Sequence, residues 1–193
     1  MRITTTIPAA PKPENPVFID KVIAQVQDSL ISELSWLDHA FGQSQRLVKR
    51  KGSKEYQYPA AHVGKGKYES LLPDNRFQNF SFFIIEDPQT VEFNPNSFND
   101  VKVDYSLVFW LKLDSIFSES EDRDKEAVKV EILRVLTRKL RLTSGRLSVT
   151  EIYENAENLY REYSIREVNS QFLMQPYVGF RFTGELTLVE PCI

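Results

Sequence analysis

From Val101 to Asp114 the chain alternates so regularly that one long, one-sided strand must lie at its centre. Val101, Val103, Tyr105, Leu107, Phe109, Leu111 and Leu113 take the odd positions, while Lys102, Asp104, Ser106, Lys112 and Asp114 take most even ones. Successive side chains of a strand point to opposite faces, so this period buries one face and wets the other. Val108 and Trp110 break the polar face. Two bulky apolar groups there require cover, from a helix of the same chain or from another subunit.

A second alternating stretch closes the chain. Over Tyr177–Val189, Val178, Phe180, Phe182, Leu186 and Leu188 point one way, and Arg181, Thr183, Glu185 and Thr187 the other. Gly184 interrupts the apolar side and predicts a bulge. The two one-sided faces suit pairing in one sheet. Residues 79–86 (Asn-Phe-Ser-Phe-Phe-Ile-Ile-Glu) are bulky on both sides, which predicts a short central strand. The Pro- and Asn-rich stretch after it, through residue 100, reads as a loop.

Helical spacing appears in three places. Ile19, Val22, Ile23, Val26, Leu30, Leu34, Leu37 and Phe41 predict one amphipathic helix over 17–41, with Gly42 as its C-terminal cap. A second helix is expected over Asp124–Leu142. Acids at Glu119, Glu121, Asp122 and Asp124 precede it, and Arg138, Lys139 and Arg141 lie in its last turns, which complements the helix dipole. Ser148-x-x-Glu151 has the form of a capping box and predicts a third helix carrying Ile152, Ala156, Leu159, Tyr160 and Tyr163 on one face.

Residues 46–68 differ in character. Arg46, Lys49, Arg50, Lys51, Lys54, Lys65 and Lys67 accumulate around Tyr56, Tyr58 and Tyr68, with Glu55 as the main counter-charge. Gly52-Ser53 reads as a hairpin turn, Tyr58-Pro59 as a break in the second strand, and Gly64/Gly66 as a mobile loop. Lysines and tyrosines so interleaved can track phosphates and stack on bases. They also serve simply to keep an exposed hairpin edge from aggregating.

Helix, hairpin, strand, long strand, helix, helix, strand is the order of an α+β domain. The expected architecture is a mixed or antiparallel sheet with helices packed mainly on one face. With 193 residues, 41% of them hydrophobic, one domain over 17–193 can bury a real core. Pro8, Pro11, Pro13 and Pro16 make residues 1–16 an extended N-terminal arm. The net charge of −3 argues against general binding to nucleic acid or membrane surfaces. No apolar run reaches the roughly 20 residues of a membrane span, and the first residues lack the apolar core of a secretory signal. One cysteine, Cys192, allows no disulfide within the chain and suits a cytoplasmic protein.

Catalytic chemistry finds little footing. Gly64-Lys65-Gly66-Lys67 lacks the spacing and hydroxyl of a phosphate loop. Two histidines, His39 and His62, and one distant cysteine do not compose a metal set or a triad, and His39 is expected on the surface of the first helix. The acids at 119–124 and at Glu151, Glu154 and Glu157 read as a helix cap and a solvated face. Neither a catalytic residue nor a cofactor is expected, and the chain reads as an assembly or binding protein.

An N-terminal amphipathic helix, a hairpin interrupted at Tyr58-Pro59, the strand Val101–Leu113, the helix Asp124–Leu142 and a Phe-rich last strand follow one another here. This order resembles the tail-completion or tail-terminator proteins of tailed bacteriophages, over most of the chain from about residue 17. The chain departs from them in its arm, its extended 42–100 region and the added helix near 152–163. The resemblance implies a non-enzymatic subunit of a ring, often a hexamer, that caps the tail tube and joins it to the head connector. Its partners would be copies of itself and other tail or connector proteins, in the cytoplasm or the virion. Val108 and Trp110 would then meet a neighbouring subunit, and the arm would clasp one. The basic hairpin would face DNA or an acidic partner. The alternative is a nucleic-acid-binding accessory protein acting through residues 46–68.

Overall fold

The computed structural model describes residues 12–92, 99–118 and 124–190. Most of the proline-rich arm, Glu119, Glu121, Asp122 and Cys192 lie outside these residues.

The fold is α+β, as the element order implies. Strand β7 (Asn99–Lys112) is the centre of a mixed sheet, and β10 (Tyr177–Glu190) pairs with it antiparallel along its whole length. On the other side of β7 lies β5 (Phe80–Ile85), antiparallel, and beyond it β1 (His39–Gln43), parallel to β5. The short strands β8 (Gly145–Leu147) and β9 (Glu151–Tyr153) pair with the outer side of β10. Within the expected loop, Thr90–Glu92 forms a further strand, β6, on β7. A separate sheet holds β2 (Gln45–Lys51), β3 (Lys54–His62) and β4 (Tyr68–Ser70) in that order.

The odd-numbered face of β7 and its partner face on β10 build the larger core. Tyr105, Leu107, Phe109, Phe180 and Phe182 pack there against α1 (Ile19–Glu33) and α3 (Lys125–Arg134), and the single turn α2 (Leu113–Ile116) follows β7 directly. Asp124 caps α3, its carboxylate accepting the Glu126 amide at 2.8 Å, and the helix ends in one wider turn, Val135–Lys139. The opposite face carries a second core, in which Phe80, Phe82, Val108 and Trp110 lie beneath α4 (Ala156–Leu159), the 3₁₀ turn Ser170–Leu173 and the inner end of the small sheet.

Four local expectations are corrected. The first helix stops at Glu33, not at Phe41. Leu34 and Leu37 are buried in the turn that follows, and Ala40 and Phe41, adjacent in β1, enter opposite cores. A turn leading into a two-sided strand thus imitates helical spacing, and Gly42 is a strand residue, not a cap. Pro59 does not break β3: it pairs with Arg46 in register, and the strand runs on to His62. Ser148 caps no helix. Its hydroxyl bonds the Glu185 backbone, between β8 and β9, and the helix that follows is only Ala156–Leu159. The Gly64–Lys67 segment is a hydrogen-bonded turn, closed by the Lys67 amide on the Gly64 carbonyl at 2.9 Å.

Gly184 is needed, for a different reason than a bulge in its own strand. Its pairing with β7 is continuous, and the irregularity lies opposite, where three residues, Ser148–Thr150, face two of β10, Gly184 and Glu185. A Cβ on Gly184 would come within 1.8 Å of the Ser148 carbonyl oxygen. Because the obstacle is backbone, relief requires moving a strand. Gly184→Ala is therefore expected to lower stability by about 2–3 kcal/mol, read from the urea midpoint.

Candidate partner-binding surface

The small sheet stands apart from the main one. In the hairpin arm, residues 45–58, no side chain is fully buried; only Leu47, Tyr56 and Tyr58 are half-covered. Cross-strand register sets Lys49 opposite Tyr56, Lys51 opposite Lys54 and Leu47 opposite Tyr58. Directly opposed residues share a face. One side of the hairpin thus presents three lysines and two tyrosines around a single leucine.

Within the chain these charges are lightly engaged. Arg46 lies over the Tyr163 ring, 5.9 Å from its centre. Lys49 and Lys51 both reach Glu167, at 3.6 and 3.2 Å, and Arg50 meets Glu55 at 2.6 Å. The hydrogen bond from Lys51, aided by Lys49, holds the Glu167 carboxyl below its ordinary value. Lys54, Lys65 and Lys67 are exposed, the last two at the β3–β4 turn. Exposed pairs of this kind are worth about 0–1 kcal/mol, so a partner displaces them at small cost. Five of the seven basic residues singled out in the sequence thus lie on the hairpin, while Lys65 and Lys67 lie in the turn at the other end of β3.

Val108 and Trp110 are not part of a free surface. They are 0% and 2% exposed, covered from within the chain. Trp110 stacks on Tyr177 and meets the edge of Tyr160. Of the two forms of cover the sequence allows, the structure has the intramolecular one.

Further along that face lies a group the sequence reading placed among outward polar residues. Arg181 is fully buried. It donates twice to Glu162, at 2.6 and 2.7 Å, once to Glu86 at 3.0 Å and once to the Ser106 hydroxyl at 2.9 Å. Arg161 bridges the same two carboxylates from the solvent side. Burial raises the Glu162 pKa, but the hydrogen bonds from Arg181 and Arg161 outweigh this and hold it below the ordinary value.

Both histidines pack against aromatic rings. His39 sits on β1, half-buried, stacked on Phe41 and edge-on to Phe77, and burial lowers its pKa against the opposing pull of Asp38. His62 packs on Tyr68. A cavity of about 620 Å³ opens between α1 and the root of the hairpin, with Ile23, Gln27, Phe41 and His62 in its lining. A shallower depression of about 430 Å³ holds Glu86, Asp104, Glu151 and Glu185, with Arg161 at its side. Among the described residues, no three His, Cys, Asp or Glu are placed to hold a metal ion, and no helix is long and apolar enough to cross a membrane.

No protein-family model matches the chain, and no curated protein matches it.

Proposed function

We propose that this chain is a non-enzymatic assembly protein, a ring-forming component of the tail-terminator kind, with the basic hairpin β2–β3 as its contact arm. The observation that supports this most is the hairpin itself. Over residues 45–58 it carries five basic residues and one acid, buries no side chain fully, and belongs to a sheet separate from the main one. An isolated hairpin is marginal in water, so an arm that adds nothing to the core is explained by what it touches. Mass measured by light scattering on a gel-filtration column, over a range of concentrations, tests this. The parent is expected to form one discrete ring-sized oligomer. Replacing Val48–Gln57 with Asn-Gly retains the Leu47–Tyr58 pair, which has the hydrogen-bonding phase of the native closing pair Lys51–Lys54, with a two-residue turn and should leave a monomer. A parent that stays monomeric at every concentration, or a shortened variant that assembles equally well, counts against the reading.

A second reading, nucleic-acid binding through the same hairpin, is favoured by the Lys49–Tyr56 and Lys51–Lys54 register. It predicts DNA binding that weakens linearly in log–log with salt. Lys51→Gln should flatten that slope by about 1. No detectable binding at low salt would sink it.

A further inference from the structure

We propose that residues 159–168 form a strut that fixes the direction of the basic hairpin, and that Arg181, acting through Glu162, is the buried anchor of this strut. Its inner end is held to the main sheet. Leu159 lies over Gly179 so closely that a Cβ there would come within 2.0 Å of Leu159 Cδ2. Tyr160 is 1% exposed and packs against Phe82 and Trp110 of the main sheet. Arg161 reaches Glu86 at the end of β5, and Glu162 takes both terminal nitrogens of Arg181.

The outer end of the same short segment meets the hairpin. Arg46 of β2 lies over the Tyr163 ring. The Ser164 amide donates to the Gln57 carbonyl on β3 at 2.8 Å, and Glu167 holds Lys49 and Lys51. Glu162, Tyr163 and Ser164 are consecutive, so a displacement at one is carried to the next within about 3.8 Å per residue. Among the described residues, the hairpin is also tied to the rest of the fold by its covalent root at Ser44, by the buried Pro59–Ala61 of β3, and through β4, whose following residue Leu71 donates its amide to Pro59 and accepts from Tyr160. Those ties lie at the hairpin's inner end, so its tilt is set by what meets residues 45–58.

The choice of an arginine follows. A fully buried guanidinium must be paired, so the carboxylate that serves it has one address on the sheet. A hydrophobic contact at the same place would let the segment slide. The anchor therefore acts on the hairpin's orientation, whatever partner the hairpin meets.

Hydrogen exchange read by mass spectrometry, with spin-label distances, tests the strut. Labels at Ser53→Cys on the hairpin tip and Arg138→Cys on the helix layer, in a Cys192→Ser chain, report tilt. Glu162→Gln removes one of the two carboxylate charges that answer Arg181; Ser164→Pro removes the amide bonded to Gln57, and its ring also fixes φ at 164 and restricts Tyr163. Each is expected to speed exchange over 45–58 by about tenfold or more and to broaden the label distance, with β7 and β10 as protected as in the parent. Glu167→Gln, which breaks only exposed pairs, should change exchange by less than about threefold. If Glu162→Gln loosens the whole fold, the Ser164→Pro chain decides. Native exchange and a narrow distance over the hairpin in that variant overturn the proposal. So does loosening of hairpin and core together in both variants, because the hairpin would then have no attachment of its own.

Discussion

An Arg181→Ala chain is expected to be less stable than the parent by about 3 kcal/mol, and to melt about 6–12 °C lower. Breaking a buried pair by removing one partner costs about 3–5 kcal/mol, because the other charge is left uncompensated. The lower end applies here. The side chains of Glu86 and Glu162 are 32% and 19% exposed, so water and Arg161 take over part of what Arg181 supplied. Arg161→Ala is the internal comparison, expected to cost about 1 kcal/mol or less, since its side chain is 43% exposed. Urea unfolding with an unchanged slope checks both. A loss below about 1 kcal/mol for Arg181→Ala would mean that the network is solvated in effect, and the anchoring role would fall with it.

The same network makes stability depend on pH in one direction. Arg181 and Arg161 hold the folded-state pKa of Glu162 below its ordinary value, despite the upward push of burial. An unfolded glutamate titrates near about 4.3. The contribution is therefore complete above that value and is lost as pH falls through the lower folded value. A urea midpoint followed from neutral pH downward should drop in that acid range, and Glu162→Gln should flatten that part of the drop.

Much of the fold was legible because strands and helices announce themselves by period. The alternation of 101–114 and 177–189 located both long strands to within a residue or two. The apolar spacing and ordered charges around Asp124–Leu142 located the helix that covers one face. What misled was spacing with two origins. Leu34, Leu37 and Phe41 continue the helical period, yet the first two belong to a turn and the third to a strand with a core on each side. A capping-box pattern at Ser148–Glu151 is equally what a bulged edge strand uses to bond its neighbour. The hairpin's turn at Gly52-Ser53 and its exposed charges were legible, but the reach of its second strand was not, since Pro59 stays in register and β3 runs on to His62. The anchor was not, because alternation assigns Arg181 to the polar side without saying that this side is roofed. A signal was present. Val108 and Trp110 on that face demanded cover, and Arg181 pairs directly with Val108. A charge beneath a cover must find carboxylates, which Glu86 and Glu162 supply.

Trp110→Ala should therefore act on the fold and not on association. The indole is 2% exposed, parallel to Tyr177 at 6.5 Å and edge-on to Tyr160 at 6.2 Å. Truncating a buried tryptophan costs about 3–5 kcal/mol, from lost burial and from the cavity left behind. One term opposes this. The indole Nε1 is buried and has no hydrogen-bond partner among the described residues, a desolvation cost of about 1–3 kcal/mol that the substitution relieves. The net expectation for alanine is about 1–3 kcal/mol. Phenylalanine, which keeps much of the ring contact and drops the unpaired N–H, should cost less than about 1.5 kcal/mol. If Trp110 instead met another subunit, the pattern would invert: alanine would leave the monomer's urea midpoint nearly unchanged and shift the oligomer toward lower mass. Unfolding measured beside light scattering separates the two. A folded Trp110→Ala chain that assembles like the parent, but unfolds earlier, assigns the residue to the core beneath α4 and leaves the projecting hairpin as the surface on which association is to be sought.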